Sequence, residues 1–228
     1  MLKKFRDALK VKDIRNKIIY TFFALIIVRI GSQLPIPGVN RSYFSSWFDQ
    51  QSALSFFDAM TGGSFSTMSV FALSITPYIT SSIIMQLLTI AIPSLEELQK
   101  DGEEGRKKIN EWTRYVAVIL SIMESAAMAI GFGNQGYFED GFDLQSVIIS
   151  VVALTAGATF LMWLGERITE KGVGNGISII LLVNILSRIP EDLLTLYNKF
   201  VKSATSYGGK ASAAVVIVAI LVALVVFI

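Results

Sequence analysis

The fold is decided by the stretch from Ser55 to Pro93, which reads SFFDAMTGGSFSTMSVFALSITPYITSSIIMQLLTIAIP. Its first apolar piece ends at about Thr67 and is interrupted by two glycines at positions 62 and 63. Its second piece, from about Val70 to Ile92, is long enough at about 1.5 Å per residue to cross a hydrocarbon core of about 30 Å. Irregular backbone is tolerated at membrane depth only where protein or a water-filled cavity satisfies its polar groups. The stretch therefore predicts a short re-entrant segment beside a cavity, followed by a full span.

The composition predicts an integral membrane protein. Of the 228 residues, 53% are hydrophobic and 17% are charged, whereas soluble domains carry roughly 25% charged residues. There are no cysteines and no histidines, which excludes disulfides, thiol nucleophiles, histidine bases and metal sites built from these ligands. We therefore predict no catalytic residues, no metal, no cofactor and no enzymatic activity.

Six apolar runs follow a basic, amphipathic N-terminal segment, residues 1–17, which we expect to lie on an anionic membrane surface. The predicted spans are 18–34, 70–92, 115–131, 144–164, 177–189 and 211–228. Pro190 is expected to end the fifth. The domain prediction is thus an N-terminal segment, a region of five spans over 18–210, and a sixth span that is cut short. We expect the chain to be a piece of a longer protein.

The positions of the basic residues predict the orientation. With the N-terminus inside and residues 55–67 not crossing the membrane, most of the 20 Lys and Arg residues fall on the inner side. Such an excess is typical of cytoplasmic segments. The charges therefore support a cytoplasmic N-terminus. They also support, independently, the prediction that residues 55–67 form a re-entrant segment.

Three polar side chains fall inside predicted spans: Glu124, Asn184 and Gln86. A charged residue near the bilayer centre costs on the order of 2.5 kcal/mol or more, so it usually faces a bundle interior or a wet path. We expect Glu124 to face such a path. The alternative is a protonated or interfacial glutamate with a structural hydrogen bond.

Two pairs of bulky apolar residues, Ile75 with Ile79 and Ile177 with Leu181, are each spaced four apart. Each pair therefore shares one face of a helix. The residues alone support nothing beyond contact with lipid or core.

Three stretches together resemble the SecY family of bacterial protein-conducting channels. They begin at Gly62, Lys100 and Trp163 and read GGSFSTMSVFALSITPYITSSIIMQLL, KDGEEGRKKINEWTRY and WLGERITEKGVGNGISII. With LPIPG at 34–38, the resemblance covers essentially the whole chain. It implies an all-α polytopic helical bundle of ten spans in two inverted halves, of which this chain is the first half and the start of span six. The implied activity is passive conduction of unfolded polypeptide.

The resemblance also implies roles for residues. The short helix at 56–68 resembles the plug that closes the outer side of the pore, with plug positions Phe56, Phe57, Ala59, Met60, Gly62, Gly63 and Phe65. The pore-ring positions are Ile75, Ile79, Ile177 and Leu181. Such a ring of bulky apolar side chains can seal around a moving chain and block ions by dewetting. Leu181 departs from the isoleucine most relatives carry there, but it keeps the bulk.

The second and third spans resemble one wall of the family's lateral gate, with Thr80 and Glu124 in its polar cluster. Relatives also carry glutamine at the position of Glu124, which weakens any idea of a proton relay. The implied partners are SecE, SecG, the SecA motor or the ribosome, signal peptides, unfolded polypeptides and anionic lipids, with no direct nucleic-acid contact. The implied location is the bacterial plasma membrane.

Two other classes of protein stay open. A secondary transporter with inverted repeats would need coupling-ion ligands or paired acids at the midplane, where we find only Glu124. A non-conducting membrane scaffold has no use for a mobile short helix, so the re-entrant segment argues against it.

Overall fold

A computed structural model describes residues 11–41, 44, 48, 55–134, 136–139 and 141–196. The helices with described bounds are α1 (Lys12–Gly31), α2 (Ser55–Thr61), α3 (Thr76–Ala91), α4 (Pro93–Lys100), α5 (Glu103–Gly133), α6 (Leu144–Lys171) and α7 (Gly176–Leu196). Within these ranges, pairing between extended segments is limited to two isolated bridges. The predicted all-α class is confirmed. The predicted sixth span and the first ten residues lie outside the described part.

The described helices are those of a multi-pass membrane protein. By length and composition, α5 and α6 can each cross a membrane, and α3 with α4 can form a third crossing that is bent by 102°. The bend falls at Pro93, which begins α4 and whose ring prevents α3 from continuing unbroken.

Several predicted boundaries were wrong. The second helix of the opening stretch begins at Thr76 rather than near Val70, and the short helix ends at Thr61 rather than near Thr67. The residues between them form turns. Pro77 explains the later start, because proline suits the first turn of a helix, where its missing N–H is not needed.

The ends of the other spans also differ from prediction. The helix α1 begins inside the predicted N-terminal segment, and α5 begins well before the predicted third span. Pro190 lies inside α7, which continues to Leu196. Proline is tolerated inside membrane helices because neighbouring groups can satisfy the carbonyl that it leaves free.

Small residues allow the helices to pack closely. The buried face of α5 carries a small residue at almost every fourth position: Gly105, Thr113, Ala117, Ser121, Ser125, Ala129 and Gly133. From this face, the Thr113 carbonyl accepts a hydrogen bond from Ser81 of α3 at 3.0 Å. The Ser125 hydroxyl lies 3.0 Å from that of Thr155 on α6. Close approach through small residues with hydroxyl bonds between helices is typical of membrane bundles.

The chain divides into two compact units, Met1–Asn184 and Ile185–Ile228. The described part of the second unit is the C-terminal portion of α7. All contacts discussed below lie within the first unit.

Candidate functional site

The short helix α2 ends at a pair of glycines that turn the chain back. Gly62 and Gly63 have φ of 68° and 86°, a left-handed conformation that glycine adopts without strain. The Gly63 amide donates to the Asp58 carbonyl at 3.0 Å. The Thr61 hydroxyl donates to the same carbonyl at 3.1 Å and accepts from the Phe65 amide at 3.2 Å. The end of this helix is therefore satisfied locally, as a buried helix end must be.

We call residues 55–69 the re-entrant hairpin, after the sequence prediction. The turn after α2 folds back and bonds to that helix, and the place of this segment in the membrane stays a prediction. The Asp58 side chain is fully buried, and its Oδ1 accepts a hydrogen bond from the Ser66 amide at 2.8 Å. The Ser69 amide donates to the Ser64 carbonyl at 3.0 Å. These bonds join the helix and the turn into one structural piece.

The end of the re-entrant hairpin is fixed to the loop after α1. The Ile36 amide donates to the Met68 carbonyl at 3.0 Å, and the Val70 amide donates to the Leu34 carbonyl at 2.9 Å. The two bonds form an antiparallel bridge between Pro35 and Ser69. The attachment therefore depends on the backbone alone.

A second attachment joins the glycine turn to α1. Arg29, in the last turn of α1, donates from Nη1 to the Gly62 carbonyl at 3.1 Å. This bond depends on one side chain and on a carbonyl just past the end of α2.

An aromatic cluster packs beside the re-entrant hairpin. The Phe65 ring lies 6.1 Å from that of Phe44 and 6.2 Å from that of Phe132, both nearly edge-on. Tyr137 completes the cluster and is 2% exposed. Such edge-to-face arrangements are the preferred geometry of aromatic pairs. Phe65 therefore contacts protein on its packed side, whereas Phe57 of α2 is largely exposed.

Between the re-entrant hairpin and α3, residues 70–75 form a linker that runs through the interior. A methyl group at Gly157 of α6 would overlap the Val70 carbonyl, and one at Gly31 of α1 would overlap the Phe71 ring. The linker therefore occupies space that exists only because two neighbouring helices carry glycine there. Ser74, with φ of 52°, accepts a hydrogen bond from buried Asn184 of α7 at 3.4 Å.

Three of the four predicted pore-ring residues share one apolar cluster. Ile75 is 1% exposed and packs with side chains of α1, α6 and α7, while Ile79 and Ile177 lie partly buried against the same cluster. Leu181 is half-buried on α7, one turn from Ile177. Ile75 caps the N-terminus of α3 rather than lying within the helix.

The two predicted gate residues lie at different levels. The helices α3 and α5 are antiparallel, with Ser81 opposite Thr113. Glu124 is therefore about 15 Å further along the helix axis than Thr80, at 1.5 Å per residue. Both side chains are half-buried. Their membership of one cluster stays a prediction.

The turn between α6 and α7 positions Ile177. The Asn175 side chain accepts hydrogen bonds from the amides of Ile177 and Ser178 and caps α7. The Thr21 hydroxyl of α1 accepts from the Val173 amide at 3.1 Å. The turn is therefore attached to α1 as well as to the helices that it joins.

Comparison with known families gives a match over most of the chain. The sequence model of the SecY family matches residues 69–228. The chain belongs to the SecY family. The matched residues begin at Ser69, where the re-entrant hairpin meets the bridge, and include α3 to α7.

Members of the SecY family are similar over most of this chain. It is 41% identical over 207 residues to the protein translocase subunit SecY of Thermotoga maritima, covering 86% of this chain and 48% of that protein. It is 45% identical over 175 residues to the same subunit of Pseudomonas aeruginosa, covering 75% and 39%. The chain thus spans about half the length of these relatives, or less.

Solved channels share the SecY fold. Sec61 in the canine ribosome–channel complex from the endoplasmic reticulum superposes with a TM-score of 0.55 at 19% identity, covering 83% of this chain and 39% of that one. A structure described as a protein conducting channel matches with the same values. At this identity, the likeness supports the fold alone.

Sequence reasoning missed two residues of this candidate site, Arg29 and Asp58. The available signal was that each is an isolated charge in an apolar setting: Arg29 is the only charged residue between positions 18 and 40, and Asp58 is the only one between positions 55 and 95. Charges in such places are usually paired or hydrogen-bonded.

Proposed function

We propose that this chain is the first half of the channel subunit of a Sec translocon. The complete subunit would passively conduct unfolded polypeptides across the bacterial plasma membrane and release membrane segments sideways into lipid. One observation carries the proposal: a short helix hairpin, held by hydrogen bonds, continues directly into a linker that ends at a cluster of bulky isoleucines. A closing element next to an apolar constriction is the arrangement that a gated pore for peptides needs.

In this mechanism the re-entrant hairpin moves, the pore-ring residues seal around the passing chain, and no covalent bond is formed or broken. Displacement of the re-entrant hairpin, as the plug, would open the outer side. Ile75, Ile79, Ile177 and Leu181 would then contact the moving chain without binding a particular sequence, because apolar side chains make no directional bonds. Since Ile75 is buried, opening must also separate it from part of its present cluster.

The remaining assignments belong to the same proposal. The N-terminus is cytoplasmic, and residues 1–17 contact anionic lipid. Thr80 and Glu124 belong to one wall of the lateral gate, and the other half of the subunit supplies the opposite wall. The partners are SecE, SecG, the SecA motor or a ribosome, with signal peptides and unfolded chains as substrates. Support comes from the family and from the ribosome–channel complex in which the related fold occurs.

Cross-linking of a stalled substrate tests the proposal. The chain contains no cysteine, so Ile79→Cys and Val152→Cys each introduce a single reactive site in this half. Val152 is 62% exposed on α6 and serves as the matched control. In the complete translocon, we expect a polypeptide stalled during transport to cross-link to position 79 and not to position 152. Equal labelling would contradict a pore at Ile79, and a complete lack of labelling would favour a scaffold.

A further inference from the structure

We propose that Arg29 is a positioning residue that keeps the re-entrant hairpin in its closed place through a releasable hydrogen bond to the Gly62 carbonyl. The inference rests on the proposed function, because it assumes that this hairpin closes a channel. It adds a named side chain and a physical means of release.

The contact suits a positioning role. Arg29 donates from Nη1 to the Gly62 carbonyl at 3.1 Å, across 33 positions of the chain. Gly62 follows the last residue of α2, and its left-handed φ turns the chain away from the helical path. Its carbonyl lies outside the helical hydrogen-bond pattern, and it accepts its hydrogen bond from Arg29 of α1. A guanidinium supplies a charge-assisted bond, which is stronger than a bond between neutral groups.

The hydrogen bonds that join the hairpin to α1 and those that join it to the loop after α1 differ in how they can be broken. The bridge at Ser69 consists of two backbone bonds and cannot open unless the loop after α1 moves. The Arg29 bond ends on a long, flexible side chain that can turn away while α1 stays folded. Arg29 also lies in the last turn of α1, where the helix dipole favours a positive charge. That favourable position does not depend on the bond to Gly62.

Release at Gly62 would leave the hairpin itself intact. The bonds from Ser66 to Asp58, from Gly63 to Asp58 and from Ser69 to Ser64 all lie within residues 55–69. The hairpin can therefore separate from Arg29 as a folded piece that stays attached at the bridge, once Phe65 leaves the aromatic cluster. Loss of the Arg29 donor should favour the displaced state by about tenfold, as expected for one hydrogen bond to a charged group.

The experiment compares three substitutions in the complete translocon reconstituted in lipid vesicles. Arg29→Met removes the donor and keeps the length of the side chain, while Arg29→Lys keeps a charged donor. Arg41→Met is the matched control, because Arg41 is exposed and makes no hydrogen bond with the described residues. The measurements are ion conductance in the absence of substrate, and hydrogen exchange at the amides of 58–66, α5 and α6.

We expect Arg29→Met to raise resting conductance by about tenfold. Exchange at 58–66, in α5 and in α6 should stay unchanged, because the hydrogen bonds inside the hairpin and inside the helices persist. Arg29→Lys should show a smaller rise in conductance, and Arg41→Met should match the unmodified channel. An unchanged resting conductance of Arg29→Met would overturn the inference. Faster exchange at these amides would also overturn it, because the effect would then be one on folding.

Deletion of residues 57–67 separates this inference from the proposed function. If the deletion raises resting conductance and Arg29→Met does not, the hairpin closes the channel but Arg29 does not hold it. If neither change raises conductance, the closing role of the hairpin is wrong and the inference fails with it.

Discussion

Two buried regions of this molecule satisfy their backbones in opposite ways. The pair α5 and α6 relies on its own helical bonds, and its helices meet through small side chains. The linker at 70–75 depends on its surroundings: the Val70 amide bonds to Leu34, and the Phe71 amide bonds to the Ser69 hydroxyl. Regular helices are therefore robust to a change in a neighbour, whereas irregular backbone in a membrane is only as stable as the groups around it.

The strongest test of this difference is Gly157→Ala. The added methyl would overlap the Val70 carbonyl, and backbone cannot move aside as a side chain can. We expect a loss of about 2–3 kcal/mol in the free energy of unfolding, as for other overpacked sites. The matched change Gly131→Ala in α5 meets no atom within 4 Å and should be neutral or slightly stabilising. Thermal unfolding in detergent measures both, and equal melting temperatures would contradict the packing at Gly157.

A second test compares the stabilities of alanine and glycine variants in the two regions, which we expect to rank in opposite order. Ser74 has φ of 52°, so Ser74→Gly relieves backbone strain while Ser74→Ala keeps it. Both variants lose the hydroxyl that accepts the bond from Asn184, so their comparison isolates the strain. We expect Ser74→Gly to be the more stable by about 1–2 kcal/mol. At Ser121, in regular α5, alanine should be more stable than glycine by about 1 kcal/mol. The same unfolding assay checks both pairs, and one common ranking would remove the distinction between the regions.

The smallest effect concerns the bond between α5 and α6. Ser125→Ala removes the 3.0 Å contact with Thr155, and such bonds between membrane helices are worth about 0.6 kcal/mol. A double-mutant cycle with Thr155→Val isolates the interaction energy. A coupling of several kcal/mol would show that the helix pair depends on specific polar contacts as much as the linker does.

The sequence predicted the regular region well and the irregular one only in outline. Long apolar runs in the sequence are sufficient to identify α5 and α6, because a helix satisfies its own backbone and can be recognised without knowing which segments contact it. The charge distribution and the glycine pair predicted a short segment that turns back, but not where its helix ends or that α3 begins at Thr76. Those boundaries depend on residues with left-handed backbone and on Pro77, which begins α3. Both lie inside a continuous apolar run, so hydrophobicity alone does not locate them.

The candidate site was limited by contacts that are distant in sequence. Nothing near Arg29 in the chain indicates that it bonds to Gly62, and nothing near Val70 indicates that Gly157 makes room for it. Residue types at Ile75 and Ile79 predicted apolar contact, which they make, but their role in a pore rested on family resemblance. Hydrophobic pattern thus predicts which segments are buried, and not which of them contact each other.

The bridge between Pro35 and Ser69 also fixes the register of the loop after α1 against the end of the re-entrant hairpin. Ile36 supplies the amide that bonds to Met68, and it stands between Pro35 and Pro37. A slip of one residue in either direction would bring a proline nitrogen, which has no proton, to the Met68 carbonyl. A one-residue shift of this loop against the end of the re-entrant hairpin would therefore lose the bond to Met68. Pro35 and Pro37, which have no backbone N–H to donate, thus help to fix the point at which the chain enters the interior.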